Sequence, residues 1–322
     1  MMIQAAVVRS FDTAPKYEAI DIPQPTGKHE VVGEVLAAGL HMRVRAQANG
    51  SHYTSTDELP LIPGIDGVGR LPGGQLVYFV APDTPLGTFA ERTVIDVRRS
   101  VPLPAGADPI LIAAGMNPAL SAWVSLRRRV QIQPGQKVLV LGATGNSGQM
   151  AVQIAKLLGA SEVIGAGRDQ ARLESLPALG ADKIVSLAGD PEAAAERLGE
   201  VASEVDIVLD YLWGKPAELA MVPLLTKRSD RSQALTWIQI GSVAGQTAAI
   251  PSAALRSANF QLLGSGQGSV TAAGYLAEFP ALMEAIAAGS IRVNATSLPL
   301  SEVETAWQAT LADSSRRIVF VP

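Results

Sequence analysis

The segment from Lys137 to Leu158 constrains this chain more than any other. A short apolar run, Val138-Leu139-Val140-Leu141, ends in Gly142-Ala143-Thr144-Gly145-Asn146-Ser147-Gly148 and opens into Gln149–Leu158, whose apolar residues recur at intervals of three and four. The first part is the pattern of a buried strand and the last that of an amphipathic helix. A strand, a tight turn and a helix in that order aim unpaired amide N–H groups and the positive end of a helix dipole at one point, where a pyrophosphate can sit. Gly145 lets the backbone approach the phosphate, and Gly148 lets the helix pack on the strand. The string departs from G-x-G-x-x-G at Ala143, although Gly142 stands beside it. Thr144, Gly145, Asn146, Ser147 and Gly148 are therefore candidate phosphate-binding residues; the alternative is a tight structural turn in an α/β fold.

The same alternation continues. Strands are expected at Glu162–Ala166, Asp182–Ser186, Val205–Asp210, Trp237–Gly241 and Phe260–Gly264, with helices at Ala171–Leu179 and Pro191–Gly199. Strands alternating with helices of this length predict βαβ units on a parallel sheet. The end of the second strand discriminates between dinucleotides. An NAD site usually places an acid there for the ribose 2′-hydroxyl. Here Gly167 is followed by Arg168, which suits a 2′-phosphate through charge and paired N–H groups. NADPH is thus the expected cofactor. Asp169 can cap the next helix or take the ribose. Tyr211, Gly241, Ser242, Gly264, Ser265 and Gly266 fall at or just past the carboxyl ends of strands, where ligands of such sheets bind; each also has a plain strand-to-loop reading.

The first third is β-rich, with Ile3–Arg9, Glu30–Ala38, Gln75–Val80 and Phe89–Asp96 punctuated by Gly/Pro turns. The tail holds helices at Tyr275–Ala288 and Ala306–Ala312, and a closing strand, Arg317–Val321, expected to return to the β-rich part. With 322 residues, two domains are expected. A net charge of −4 argues against nucleic-acid binding. The basic cluster Arg127-Arg128-Arg129 reads as a solvated helix end. No cysteine occurs, and three histidines (His29, His41, His52) offer little for a metal cluster. Apolar runs such as Ile110–Gly115 fall short of the ~20 residues of a membrane span, so a soluble, cytoplasmic protein is expected.

These residues and their surroundings resemble the medium-chain dehydrogenase/reductase superfamily, and within it the zinc-free quinone oxidoreductase branch. Pro63-Gly64-Ile65-Asp66-Gly67-Val68-Gly69, Gly87-Thr88-Phe89-Ala90-Glu91, Met116-Asn117-Pro118 and Arg316-Arg317-Ile318-Val319-Phe320-Val321-Pro322 carry the likeness. It implies an α/β protein: a Rossmann doubly wound parallel sheet (121–267), a GroES-like β-rich substrate domain (1–120 and 268–322), a cleft between them and a homodimer. The superfamily's zinc-ligand positions look like His41, Ile65 and Ala114, with Asp66 at its acid position. Since zinc needs three protein donors plus an open site, metal catalysis is not expected, and His41 reads as a cleft-wall or buried, hydrogen-bonded residue.

Without a Lewis acid a simple alcohol is a poor substrate, because its alkoxide is not stabilised. Electron-poor quinones and α,β-unsaturated carbonyls need less help, so the expected activity is their NADPH-dependent reduction. In the relatives a Tyr in the loop matching Gln47–Thr54 faces the cleft, which makes Tyr53 and His52 candidates for substrate contact or proton donation. The alternative is that both are surface loop residues. Asn117 is a candidate polar group at both substrate and nicotinamide; its alternative is an Asn forming a turn before Pro118. A 2-enoyl thioester reductase and a non-catalytic NADPH-binding regulator are the competing functions.

Overall fold

A computed structural model describes residues 1–52, 54–81, 84–312 and 317–322. The chain divides into two compact units, one of Met1–Pro118, Leu276–Gly289 and Val293–Pro322, the other of Ala119–Tyr275 and Ser290–Arg292. In chain order the first unit starts with β1 (Met2–Val7), β2 (Lys16–Asp21), β3 (Glu30–Leu40), α1 (Met42–Ala48), β4 (Asp66–Arg70), β5 (Leu76–Val80), β6 (Arg92–Asp96) and β7 (Ser100–Pro102). Helix α2 (Pro109–Val124) carries the chain into the second unit, which holds β8 (Lys137–Leu141), α3 (Asn146–Leu157), β9 (Glu162–Gly167), α4 (Gln170–Ser175), β10 (Lys183–Ser186), α5 (Pro191–Ala202), β11 (Ile207–Asp210), α6 (Gly214–Thr226), β12 (Leu235–Gln239) and β13 (Phe260–Gly264). The chain ends with α7 (Ala272–Ala287), β14 (Thr296–Pro299), α8 (Val303–Ala312) and β15 (Ile318–Val321).

The first unit is built on β3, long enough to serve several partners. Its first half pairs antiparallel with β6, Glu30 to Asp96 through Glu34 to Arg92. Its last residues pair with β15, Leu40 opposite Ile318. The tail thus returns to the β-rich part, as the sequence implied. Alternate residues of these strands turn inward, where Phe89 and Phe320 meet edge to face at 5.1 Å among Val35, Leu40, Phe79 and Ile95.

The second unit is the expected doubly wound sheet, all parallel, in the order β10-β9-β8-β11-β12-β13. Its central strands are apolar on both faces because helices cover both. Trp237 on β12 is fully buried and meets Phe260 edge to face at 6.4 Å. The strand order reverses between β8 and β11, and the carboxyl ends there form the crevice where ligands of such sheets bind.

Several expectations are corrected. Helices α2 and α6 carry Pro118 and Pro223 in their interiors. Asn117 therefore lies in a helix and not in a turn before Pro118. With its π-helical extension over Ser125–Arg129, α2 spans 21 residues and is long and apolar enough to cross a membrane, yet two thirds of its most apolar stretch is buried in the protein, as in a core helix. The basic cluster at its end is not simply solvated: Arg127 stacks over Trp123 at 5.2 Å, and Arg129 donates to the carbonyls of Gly264 (3.0 Å) and Ser269 (3.3 Å). Gln47 and Ala48, expected in a loop, form the last turn of α1.

Candidate nucleotide site and a buried charge cluster

The glycine-rich turn adopts the expected strand–turn–helix form. Gly145 is the N-cap of α3 and, having no side chain, cannot cap it. The first helical bond runs from Gln149 N–H to the Gly145 carbonyl at 2.9 Å. The amides of Asn146, Ser147 and Gly148 precede that bond at the positive end of the helix. A Cβ on Gly148 would stand 2.2 Å from the Gly142 oxygen and 2.7 Å from the Ala143 Cα, so only glycine lets α3 rest on the turn. Gly145 differs: its φ of −79° suits any residue, and the nearest atom to an added Cβ is the Gly142 oxygen at 3.5 Å. Neither backbone nor packing requires glycine there. A side chain at this position would stand beside the start of α3, where the chemistry of the turn suits an anion.

At the end of β9, a Cβ on Gly167 would stand 2.5 Å from the Thr144 methyl, so Thr144 lies across the glycine. Arg168 is exposed. Asp169 caps α4, accepting from Arg172 N–H at 3.1 Å, and pairs with the Arg172 guanidinium at 3.2 Å. Capping is thus among the roles that Asp169 fills. Tyr211, buried, shares a 2.9 Å hydrogen bond between its hydroxyl and that of Ser121, and burial pushes its phenol far up. A Cβ on Gly241 would meet the Tyr211 oxygen at 2.7 Å, while Ser242 is next on the same segment. Beyond β13, a Cβ on Gly264 would meet nothing within 4 Å. Ser265 N–H donates to the Gln239 carbonyl at 2.9 Å, and the Gly266 carbonyl accepts from the Tyr275 hydroxyl at 3.0 Å. The second unit thus brings Thr144–Gly148, Gly167, Arg168, Tyr211, Gly241, Ser242 and Gly264–Gly266 to strand ends of one sheet.

In the first unit, the His52 ring takes up a local turn: its Nδ1 accepts from Thr54 N–H at 3.2 Å and lies 2.8 Å from the Thr54 hydroxyl. His52 lines a small polar pocket with Arg43, Gln47, Thr54, Thr56, Ile65 and Thr84. Tyr53 lies outside the described residues. Sequence reasoning did not foresee a buried cluster nearby in the fold. Asp66 on β4 is 2% exposed; its Oδ1 lies 3.0 Å from His41 Nε2, and its Oδ2 accepts from the Tyr78 hydroxyl at 2.8 Å. Arg317, also buried, donates from Nε to the Ala114 carbonyl at 2.7 Å. That carbonyl is available because Pro118, four residues on in α2, has no N–H to give it. Burial lowers the Arg317 guanidinium to about 10, opposed by the charge of Asp66, so it remains a cation at neutral pH.

A family profile described as zinc-binding dehydrogenase matches residues 148–288. The protein named "Probable NADPH-dependent quinone reductase tdiC" of Emericella nidulans is 31% identical over 99% of this chain and 100% of its own length. The chain belongs to the quinone oxidoreductase branch of the medium-chain dehydrogenase/reductase superfamily. The quinone oxidoreductase of Thermus thermophilus, whose crystal structures include a complex with NADPH, superposes with a TM-score of 0.81 at 27% identity, covering 99% of this chain and 100% of that one. The mitochondrial enoyl-[acyl-carrier-protein] reductase of Caenorhabditis elegans is 26% identical over 66% of this chain and 65% of its own.

The zinc of the wider superfamily does not fit this member of the quinone oxidoreductase branch. At the positions that resemble its ligands stand His41, whose Nε2 is engaged by Asp66, Ile65, which has no donor, and Ala114, whose carbonyl is taken by Arg317. Among the described residues no three His, Asp or Glu side chains are grouped to hold a metal ion. His41 is instead a hydrogen-bonded residue whose side chain is 7% exposed.

That burial has a pH consequence. Desolvation holds the His41 imidazole below its ordinary 6.5, against the opposing bond from Asp66. With the folded pKa depressed, the unfolded chain binds the proton more readily. The stability carried by neutral His41 is therefore present above about pH 6.5 and is lost as pH falls through the folded value. Thermal melts between about pH 5 and 8 should show the wild type losing Tm on acidification more steeply than His41→Gln; parallel curves would rule this out.

Proposed function

We propose that this oxidoreductase binds NADPH on the glycine-rich turn of its second unit and reduces quinones or other α,β-unsaturated carbonyls. The observation that carries the reading is Gly145 at the start of α3, a glycine that neither its φ of −79° nor its neighbours require, since an added Cβ would meet a single atom at 3.5 Å. The amides of Asn146, Ser147 and Gly148 would hold the diphosphate, with Thr144 behind them. Arg168 would take the 2′-phosphate, while Asp169 caps α4. Gly167, Tyr211, Gly241, Ser242, Gly264, Ser265 and Gly266 would line the path from adenosine to nicotinamide, and Asn117 would face the nicotinamide. NADPH supplies a hydride from its nicotinamide C4. His52 and Tyr53 would orient the acceptor carbonyl or deliver its proton. The relatives' names, a quinone reductase over the whole chain and a quinone oxidoreductase solved with NADPH, support the reading. A homodimer belongs to the same proposal and is checked by sedimentation, and a cytoplasmic location by cell fractionation.

The test is titration with NADPH and NADH, then NADPH oxidation with 1,4-benzoquinone, 9,10-phenanthrenequinone and crotonyl-CoA. Arg168→Ala should weaken NADPH about tenfold or more and leave NADH unchanged, because only the former carries the phosphate that a charge-assisted bond would hold. Equal losses for both nucleotides would remove Arg168 from that role. The enoyl reductase relative favours one second reading, a thioester reductase; turnover of crotonyl-CoA in preference to both quinones would select it. Binding without turnover of any acceptor would leave a regulatory protein.

A further inference from the structure

Asp210 ends β11 with its side chain fully buried, and both carboxylate oxygens are engaged by the adjoining turn and the neighbouring strand. Oδ1 accepts from Leu212 N–H at 2.8 Å and from Trp213 N–H at 2.9 Å. Oδ2 accepts from the indole N–H of Trp237, on β12, at 2.9 Å. Its main-chain carbonyl takes Ile240 N–H and Gly241 N–H at 2.8 and 3.1 Å. The turn so held is strained: Trp213 has φ 52° and ψ −162°, a conformation favoured by glycine and adopted by other residues only where surroundings impose it.

That turn packs against both neighbouring segments of the crevice. On one side, a Cβ on Gly142 of the glycine-rich turn would stand 3.1 Å from Leu212 and 3.3 Å from Tyr211. On the other, Ala244 N–H donates to the Leu212 carbonyl at 2.8 Å, and a Cβ on Gly214 would stand 2.8 Å from the Ala244 oxygen. A buried carboxylate is costly unless its oxygens are hydrogen-bonded, and the donors that satisfy this one lie on the turn and on the neighbouring strand. We infer that Asp210 is a positioning residue of the nucleotide site, fixing the turn Tyr211–Gly214 so that the glycine-rich turn and the Gly241–Gly245 segment hold the geometry that binds NADPH. The inference rests on the proposed nucleotide site.

Two measurements on the full chain test it. Asn at 210 keeps the shape but presents an N–H₂ to one of the three donors that Asp210 now accepts. Asp210→Asn should raise the Kd and KM for NADPH about tenfold at assay temperatures where the variant is folded, with kcat at saturating NADPH little changed. Adding Trp237→Phe removes the facing indole donor, and the double variant should recover to within about threefold of the wild type. A folded Asp210→Asn that binds NADPH within about twofold of the wild type would overturn the inference. The second measurement needs no variant: in the wild type, NADPH should slow amide hydrogen exchange in 211–214 together with 142–148. Protection of 142–148 alone would overturn the inference and leave the nucleotide site standing. If the wild type does not bind NADPH at all, the functional reading itself falls.

Discussion

Gly148→Ala is expected to cost the fold about 2–3 kcal/mol and to lower NADPH turnover on the order of 100-fold. The added Cβ would lie 2.2 Å from one backbone oxygen, 2.7 Å from a backbone Cα and 2.8 Å from a backbone carbonyl carbon. No side chain can rotate away to relieve it; α3 itself must lift from the turn by about an ångström, since packed interiors leave no slack. The same shift moves the amides at the start of α3 off the phosphate they would bind. Gly145→Ala is the control, because its Cβ would meet only the Gly142 oxygen, at 3.5 Å. It should melt like the wild type and yet weaken NADPH by placing a methyl group beside the start of α3, where the phosphate would bind. Thermal melts and NADPH titrations of both variants decide the matter. A Gly148→Ala protein with wild-type Tm would show that α3 does not rest on the turn as described, and unchanged binding in Gly145→Ala would move the phosphate elsewhere.

How much of this was legible in the sequence depends on how local each feature is. Residues 137–158 give strand, turn and helix in one contiguous stretch, so the glycine-rich turn and the parallel sheet could be read directly. Helices α2 and α6 could not: each holds a proline, which in a sequence ordinarily marks a helix end, and the buried residues Ile112, Ala113, Ala114 and Ala122 point to different sides of α2, leaving no amphipathic period. The strand β3 was legible from its β-branched residues, but not the fact that its end pairs with β15, since register between residues 40 and 318 leaves no local trace. Asp210 and Trp237 meet across 27 positions only because β11 and β12 are neighbours. Arg317 stood out in the sequence only within the family-like ending. Its partner, the Ala114 carbonyl, exists only once Pro118 is known to lie inside a helix.

The cluster around Asp66 shows what such long-range pairing is worth. Asp66→Ala is expected to cost about 3–5 kcal/mol, because it takes the acceptor from two side chains and removes a negative charge that favours the buried Arg317 cation. Arg317 is 5% exposed, its guanidinium donates to the carbonyls of Ala114 and, at 3.4 Å, Leu40, and at neutral pH it cannot shed its proton cheaply. The same substitution strips the Tyr78 hydroxyl and His41 Nε2 of their acceptor in places water does not reach. Tyr78→Phe, which removes one hydrogen bond and no charge, should cost about 1–3 kcal/mol. Urea unfolding of the two variants separates hydrogen bonding from charge, and Asp66→Ala/Arg317→Met tests the charge directly. If charge compensation dominates, removing both ions should recover part of what Asp66→Ala loses. A double variant less stable than Asp66→Ala would mean instead that Arg317 serves this unit through its bond to Ala114, the carbonyl that Pro118 leaves open.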